Sequence, residues 1–224
     1  LNAAEAPSPE ADQALSQLCE VYWYPLYVYV RRQGYNPDDG QDLTQEFFSR
    51  LLAGNYLRTI DRQKGKFRSF LLAAMEHFLA KHWRDSRRLK RGGGRAILSL
   101  DDESAEGRYQ IEPSQEATPE RMFERRWALM LIEEALQRLR AEFEAVKKVA
   151  LFDALQPFLS GSQPDLTYAS VGLKLDMTEG AVKVAVHRLR ARYGELLRDE
   201  IAKTVSRPDE VDEELRYLIE VISR

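Results

Sequence analysis

The chain has 224 residues, 44% of them hydrophobic and 31% charged, with one cysteine, three histidines and a net charge of −3. That length allows one large domain or two small ones. The single Cys19 excludes an internal disulfide, and His77, His82 and His187 are too scattered to suggest a metal site. No apolar run is long enough for a bilayer crossing and no signal-like run opens the sequence, so a cytoplasmic protein without membrane insertion is expected.

Residues 1–12, rich in Ala, Pro and Glu, read as a disordered leader. From Ala14 to Trp83 the apolar spacing is helical throughout, and Cys19 falls in it as an ordinary core position. Asn36–Pro37 fits a helix start, with Asn as cap and Pro where a missing N–H costs nothing. Gly54–Asn55 closes that helix. A basic loop follows (Arg58, Arg62, Lys64, Gly65, Lys66), then a helix from about Phe67 to Arg88 that ends by Gly92–Gly94. Residues 92–118 begin with glycine, turn acidic and carry Pro113, which is the composition of a tether. A second helical block spans 119–205, interrupted near Ser160–Pro164. Pro208 sets off a terminal amphipathic helix with Val211, Leu215, Leu218 and Ile219 on one face. The expected fold is therefore all-α: two small helical domains, 13–91 and 119–205, on an acidic flexible linker, 92–118, with an extension over 206–224.

The net charge hides a strong pattern. Lys81–Arg95 holds seven Lys or Arg against one acid, and Asp101–Glu120 holds seven Asp or Glu against one base. A further basic cluster comprises Lys183, Arg188, Arg190 and Arg192. Alternating blocks of this kind suit a chain that touches DNA at two places yet binds it poorly overall.

Three segments carry function. In Thr167–Arg192, Tyr168, Val171 and Leu175 form the apolar face of a short helix. Gly172 allows a close approach, Asp176 suits a left-handed turn position, and Thr178 caps the next helix. Val182, Val186 and Leu189 then face inward, leaving Lys183, His187, Arg188 and Arg190 outside. This is a helix-turn-helix, whose second helix enters a major groove N-terminus first. In Asp38–Leu52, Leu43, Phe47, Phe48 and Leu51 share one face, while Asp39, Asp42, Gln45, Glu46 and Ser49 form an acidic, amide-bearing stripe on the other. In Arg58–Arg88, a basic loop feeds a helix bearing Phe67, Phe70, Phe78 and Trp83, with His77, Lys81 and Arg84 on its polar side. Aromatics among bases suit single-stranded DNA, and Phe67 and Trp83 are the two placed to touch it.

In this order the three segments resemble the extracytoplasmic-function (ECF) sigma factors of bacterial RNA polymerase. DGQDLTQEFF (39–48) resembles the region 2 helix that grips the polymerase clamp, and KFRSFLLAAMEHFLAKHWR (66–84) the helix that melts and reads the −10 element. Thr167–Arg192 resembles region 4, which reads the −35 element. The resemblance covers about residues 14–205, and the lack of the extra domains of housekeeping sigma factors points to the ECF group. It implies that Asp39, Asp42, Gln45 and Glu46 contact core RNA polymerase. It implies that Arg62, Lys64, Lys66, Phe67, His77, Lys81 and Arg84 serve the −10 element, with the 59–66 loop cradling a flipped base. Thr178, Lys183, Val184, His187 and Arg188 would serve the −35 element, and the acidic stretch 101–120 would lie near the polymerase's active-centre and RNA-exit channels. Partners would be core polymerase, promoter DNA and an anti-sigma or other regulator.

The sequence departs from the family pattern at Val184 and Ala185, apolar where a polar residue is common. Such side chains can pack on thymine methyls but make no bidentate bond to guanine. The helix at 150–158 also lacks the usual Leu-Pro-x-x-x-Arg. No catalytic set, metal ligands or cofactor motif accompanies the basic segments, so no enzyme, metal or cofactor is expected. The alternative is a free-standing helix-turn-helix regulator, which leaves the acidic stripe and the basic aromatic helix without a role. Thr44, within the clamp-facing helix, is a potential phosphorylation site.

Overall fold

The computed structural model describes residues 9–53, 66–86, 102–110, 117–159, 167–205 and 207–223. Among them are nine α-helices and no strand: α1 (Pro9–Arg32), α2 (Pro37–Ala53), α3 (Phe67–Ser86), α4 (Asp102–Gln110), α5 (Pro119–Ala145), α6 (Val149–Leu155), α7 (Tyr168–Leu175), α8 (Glu179–Ala202) and α9 (Val211–Ser223). The chain divides into two compact units, 1–128 with 219–224, and 129–218, so both dividing points fall inside helices, α5 and α9.

In the first unit the 22–30 stretch of α1 is buried on most of its sides: Tyr22, Trp23 and the run Leu26–Val30 are each at most 6% exposed. A helix apolar on most sides must be central. It starts at Pro9, so residues 9–12 are its first turn and not part of a leader; proline suits a first helical position, where its absent N–H has no partner to lose. The α1–α2 turn passes through Gly34 at φ +95, a conformation open to glycine without strain. Helix α2 begins as read from sequence: Asp39 N donates to Asn36 Oδ1 (2.8 Å) and Asn36 Nδ2 returns a bond to Asp39 Oδ2 (2.8 Å). Leu43, Phe47, Phe48 and Leu51 are buried, and α3 adds Leu71, Met75 and Leu79.

The first turns of α5 belong to this unit. Met122, Phe123 and Trp127 are at most 1% exposed, and Trp127 Nε1 donates to the buried Tyr22 hydroxyl at 3.0 Å. Arg68 of α3, 8% exposed, pairs with Glu124 at 3.3 Å and lies over the Trp127 ring. Residues 102–110, inside the segment read as a tether, form α4 on α1, with Ala105 2% exposed.

The second unit packs Leu131, Ala135 and Leu139 of α5, one residue per helical turn, with Phe152 and Leu155 of α6, Val171 of α7 and the inner face of α8. Phe143 and Phe152 rings lie 5.6 Å apart, and Phe158 stacks on Tyr168 at 4.8 Å. Helix α5 ends in a Schellman motif: Lys147 is left-handed (φ 58), Lys147 N donates to Glu144 O (2.9 Å) and Lys148 N to Phe143 O (2.8 Å). A side chain there costs roughly 1–2 kcal/mol. Lys147→Gly should accordingly stabilise the unit by about 1 kcal/mol, read as a raised denaturation midpoint at unchanged slope.

The face of α9 is rotated from the expected one. Leu218 is buried and Val211 and Leu215 are half-buried, but Ile219 is 56% exposed; Glu214 and Val221 complete the buried face. Hydrophobicity alone put Ile219 inward, whereas the four-residue spacing Glu214–Leu218 and its continuation at Val221 define the side that packs.

Candidate nucleic-acid interface

The helix-turn-helix is built by local chemistry. Thr167 caps α7 in a reciprocal box with Ser170, whose N donates to Thr167 Oγ1 at 3.1 Å while Thr167 N donates to Ser170 Oγ at 3.2 Å. Asp176 closes α7 in the left-handed region (φ 53, ψ 46), and Met177 N donates to Gly172 O at 2.9 Å. Gly172 is required here: a Cβ on it would stand 2.6 Å from the Met177 carbonyl oxygen. Thr178 Oγ1 then accepts from Ala181 N (3.2 Å) and starts α8. Val182, Val186 and Leu189 are buried at 0–2% exposure. Their spacing turns Lys183, Val184, His187 and Arg188 outward, beside the cap Thr178. All five residues expected at the −35 element are thus on the first turns and one side of α8.

The other arginines of that basic cluster are committed elsewhere. Arg190 donates through Nε and Nη2 to Phe158 O, at 3.2 and 2.7 Å. Arg192 clasps Glu142 (2.6 Å) and Glu195 (2.7 Å); these bonds raise the Arg192 pKa, and the bond from Arg192 lowers that of Glu142. Lys183 pairs with Glu179 at 2.7 Å, which raises its pKa. His187 and Arg188 stand exposed on the same surface.

On α3, His77, Lys81 and Arg84 are exposed on one stripe, opposite Leu71, Met75 and Leu79. Arg84 Nε folds back to Ala80 O at 3.1 Å. Phe67 is half-buried, edge-on to Tyr22 at 5.3 Å and stacked on Phe70 at 6.3 Å, whereas Trp83 is 53% exposed. Trp83 and Arg84 line an open cleft of about 890 Å³ with Tyr29, Gln33, Tyr35 and Glu76, on the side where α3 faces the α1–α2 turn. Burial, aided by the charge of Glu76, pushes the Tyr29 hydroxyl up to about 12, so it stays a neutral partner to Gln33 Nε2 (2.9 Å). Arg62 and Lys64, and most of the 59–66 loop, lie outside the described residues; Lys66 is half-buried at its end.

On α2, Asp39 and Asp42 are exposed and Gln45 and Glu46 half-buried, all on the side away from the core. Two of the acids have intramolecular partners: Asp39 in the Asn36 cap and Glu46 with Arg50. Thr44 is not a modification site: it is 0% exposed and donates to Gly40 O at 2.7 Å, because it sits on the inner edge of the helix between Leu43 and Phe47.

A family model described as ECF sigma factor matches residues 12–199. The chain belongs to the ECF sigma factor family. No curated protein and no solved structure matches it. Membership gives the chain a sigma factor's role in transcription initiation, in a family that is not one of enzymes. No described helix is long and apolar enough to cross a membrane, and no group of metal-binding side chains occurs among the described residues.

Within this sigma factor the match ends at 199, before α9. Sequence reasoning missed the cleft residues Tyr35 and Glu76, although Glu76 and Trp83, seven apart on α3, already share a helical face. It also missed Leu173, 88% exposed on α7. The signal was present there too, since Leu173 falls outside the Tyr168–Val171–Leu175 stripe.

Proposed function

We propose that this sigma factor binds core RNA polymerase through the Asp39–Asp42–Gln45–Glu46 face of α2, opens and reads the −10 element with the 59–66 loop and α3, and reads the −35 element with α8. The acidic stretch of 101–120 enters the polymerase's channels in the same reading. The observation that carries it is the division of labour on α2. One face completes the core of the first unit, and the opposite face presents three acids and an amide at exposed or half-buried positions. A lone duplex-binding regulator has no use for such a stripe. Val184, 50% exposed at the centre of the α8 surface, favours a thymine methyl contact over guanine readout.

The test is transcription from two templates. Lys64→Ala with Lys66→Ala should leave assembly with core polymerase intact and lower transcription from a closed duplex at least tenfold. Activity should largely return on a template already mismatched across the −10 region, because a pre-opened bubble removes an unpairing cost of a few kcal/mol. Phe67 is best left in place, since its removal would also strip packing from Tyr22. Wild-type activity of the double variant on the closed duplex would move the melting surface elsewhere. Failure of the unaltered chain to bind core polymerase, with tight sequence-specific duplex binding by itself, would favour the free-standing regulator.

A further inference from the structure

The cleft between α3 and the α1–α2 turn brings a flat ring, a carboxylate and a cation into one small volume. At about 890 Å³ it falls among small-ligand pockets, which run from roughly 300 to 1,000 Å³. Tyr29 and Leu79 are the buried part of its lining, Tyr35 is half-buried, and Trp83 is 53% exposed. An indole half open to solvent inside a cleft is a stacking platform for a base. Among the described residues that line it, Glu76 is the sole carboxylate. The Tyr29 hydroxyl accepts from Gln33 Nε2 at 2.9 Å, which leaves its own proton for Glu76. An ionised carboxylate has roughly four acceptor sites, so most of them face a ligand.

The cleft adjoins the cationic stripe of the same helix. His77, Lys81 and Arg84 lie one residue round α3 from Glu76, Ala80 and Trp83, and Arg84 belongs to both surfaces. Arg84 Nε donates to Ala80 O at 3.1 Å, which fixes the guanidinium at the cleft. A phosphate backbone running along these cations can turn a base inward. A cationic side chain fits less well, because Arg84 lines the cleft and Lys81 stands next to it on α3. Glu76 and Trp83 are seven residues apart, roughly 10 Å along the helix, room for a purine stacked on one and bonded to the other.

The carboxylate selects the base. Guanine alone among the DNA bases carries two adjacent donors on its pairing edge, N1–H and the N2 amino group, and a carboxylate accepts such a fork with both oxygens. Adenine, cytosine and thymine each set an acceptor beside the donor, against one carboxylate oxygen, and a site built for donors rejects them. We propose that this cleft takes an unstacked guanine of single-stranded DNA, with its ring on Trp83, its N1–H and N2 amino group on Glu76, and a neighbouring phosphate on Arg84. The origin of that strand rests on the proposed function, in which α3 meets the opened −10 region. The inference adds a base-selecting residue, Glu76, to that surface.

The experiment titrates the full chain with short oligothymidine strands that carry at their centre one guanine, one hypoxanthine or no replacement. Hypoxanthine is guanine without the N2 amino group, so the comparison removes one bond and keeps the purine. Of the three tryptophans, Trp23 and Trp127 are buried and only Trp83 is open, so quenching of tryptophan emission reports this cleft. The guanine strand should quench it and bind at least fivefold tighter than the hypoxanthine strand. Glu76→Gln should bring that ratio within twofold. The ratio is the reading, because loss of a negative charge favours any strand. Trp83→Ala should weaken the guanine strand at least fivefold, followed by anisotropy of a labelled strand. Equal binding of the guanine and hypoxanthine strands by the unaltered chain, or a preference that survives Glu76→Gln, would overturn the proposal. Competition by guanosine monophosphate as strong as by the strand would replace the strand with a free nucleotide. Quenching by an arginine-rich peptide and by none of the strands would give the cleft to a basic protein segment instead. A chain that does not bind core polymerase would sink the proposed function, while the titration, which needs no polymerase, would still decide the cleft.

Discussion

The Gly172→Ala chain should lose about 3 kcal/mol of stability in the helix-turn-helix unit, at the upper end of what overpacking costs. The reason is geometric. The new Cβ would stand 2.6 Å from the Met177 carbonyl oxygen, and neither side can give way. Met177 N is bonded back to Gly172 O (2.9 Å), Asp176 is already left-handed, and Thr178, the next residue, is the cap of α8. Moving the carbonyl would undo the turn and the cap together. Gly180→Ala is the control: a Cβ there meets nothing within 4 Å, and the helix-propensity gain of up to about 1 kcal/mol should be visible. Urea denaturation followed by far-UV circular dichroism reads both. Equal midpoints for Gly172→Ala and wild type would mean that the turn is looser than the contacts require.

Asp42→Lys with Glu46→Lys should weaken binding to core polymerase roughly a hundredfold or more, because like charges brought together across an interface cost several kcal/mol. Both positions lie on the outward side of α2, so the core of Leu43, Phe47, Phe48 and Leu51 is untouched. The change at Glu46 also sets a cation beside Arg50 where an exposed ion pair stood, a loss to folding of no more than about 1 kcal/mol. Helical content should therefore be preserved while affinity collapses, and raising salt should reduce the difference between variant and wild type. Measured by surface immobilisation of core polymerase, an unchanged dissociation constant would remove the stripe from the interface and return the argument to a regulator acting alone.

What the sequence by itself determined was set at short range. The Asn36 and Thr178 caps, the left-handed Asp176, the buried faces of α2 and α8 and the exposed Lys183–Arg188 surface all follow from spacing within one turn or two. The tertiary structure decided what depends on partners far along the chain. Arg190 and Arg192 read like DNA-facing bases, but their guanidiniums reach Phe158 and Glu142, 32 and 50 residues away, and are spent there. Thr44 read as a potential phosphorylation site, and packing of the first unit closed over it. Residues 102–110 read as tether because acid, serine and glycine form no stable helix alone; Tyr27 and Arg31, 79 and 75 residues earlier, supply what the segment lacks. Periodicity says which side of a helix is apolar. It does not say which distant side chain will neutralise a charge or cover a hydroxyl, because those energies exist only once the helices are packed.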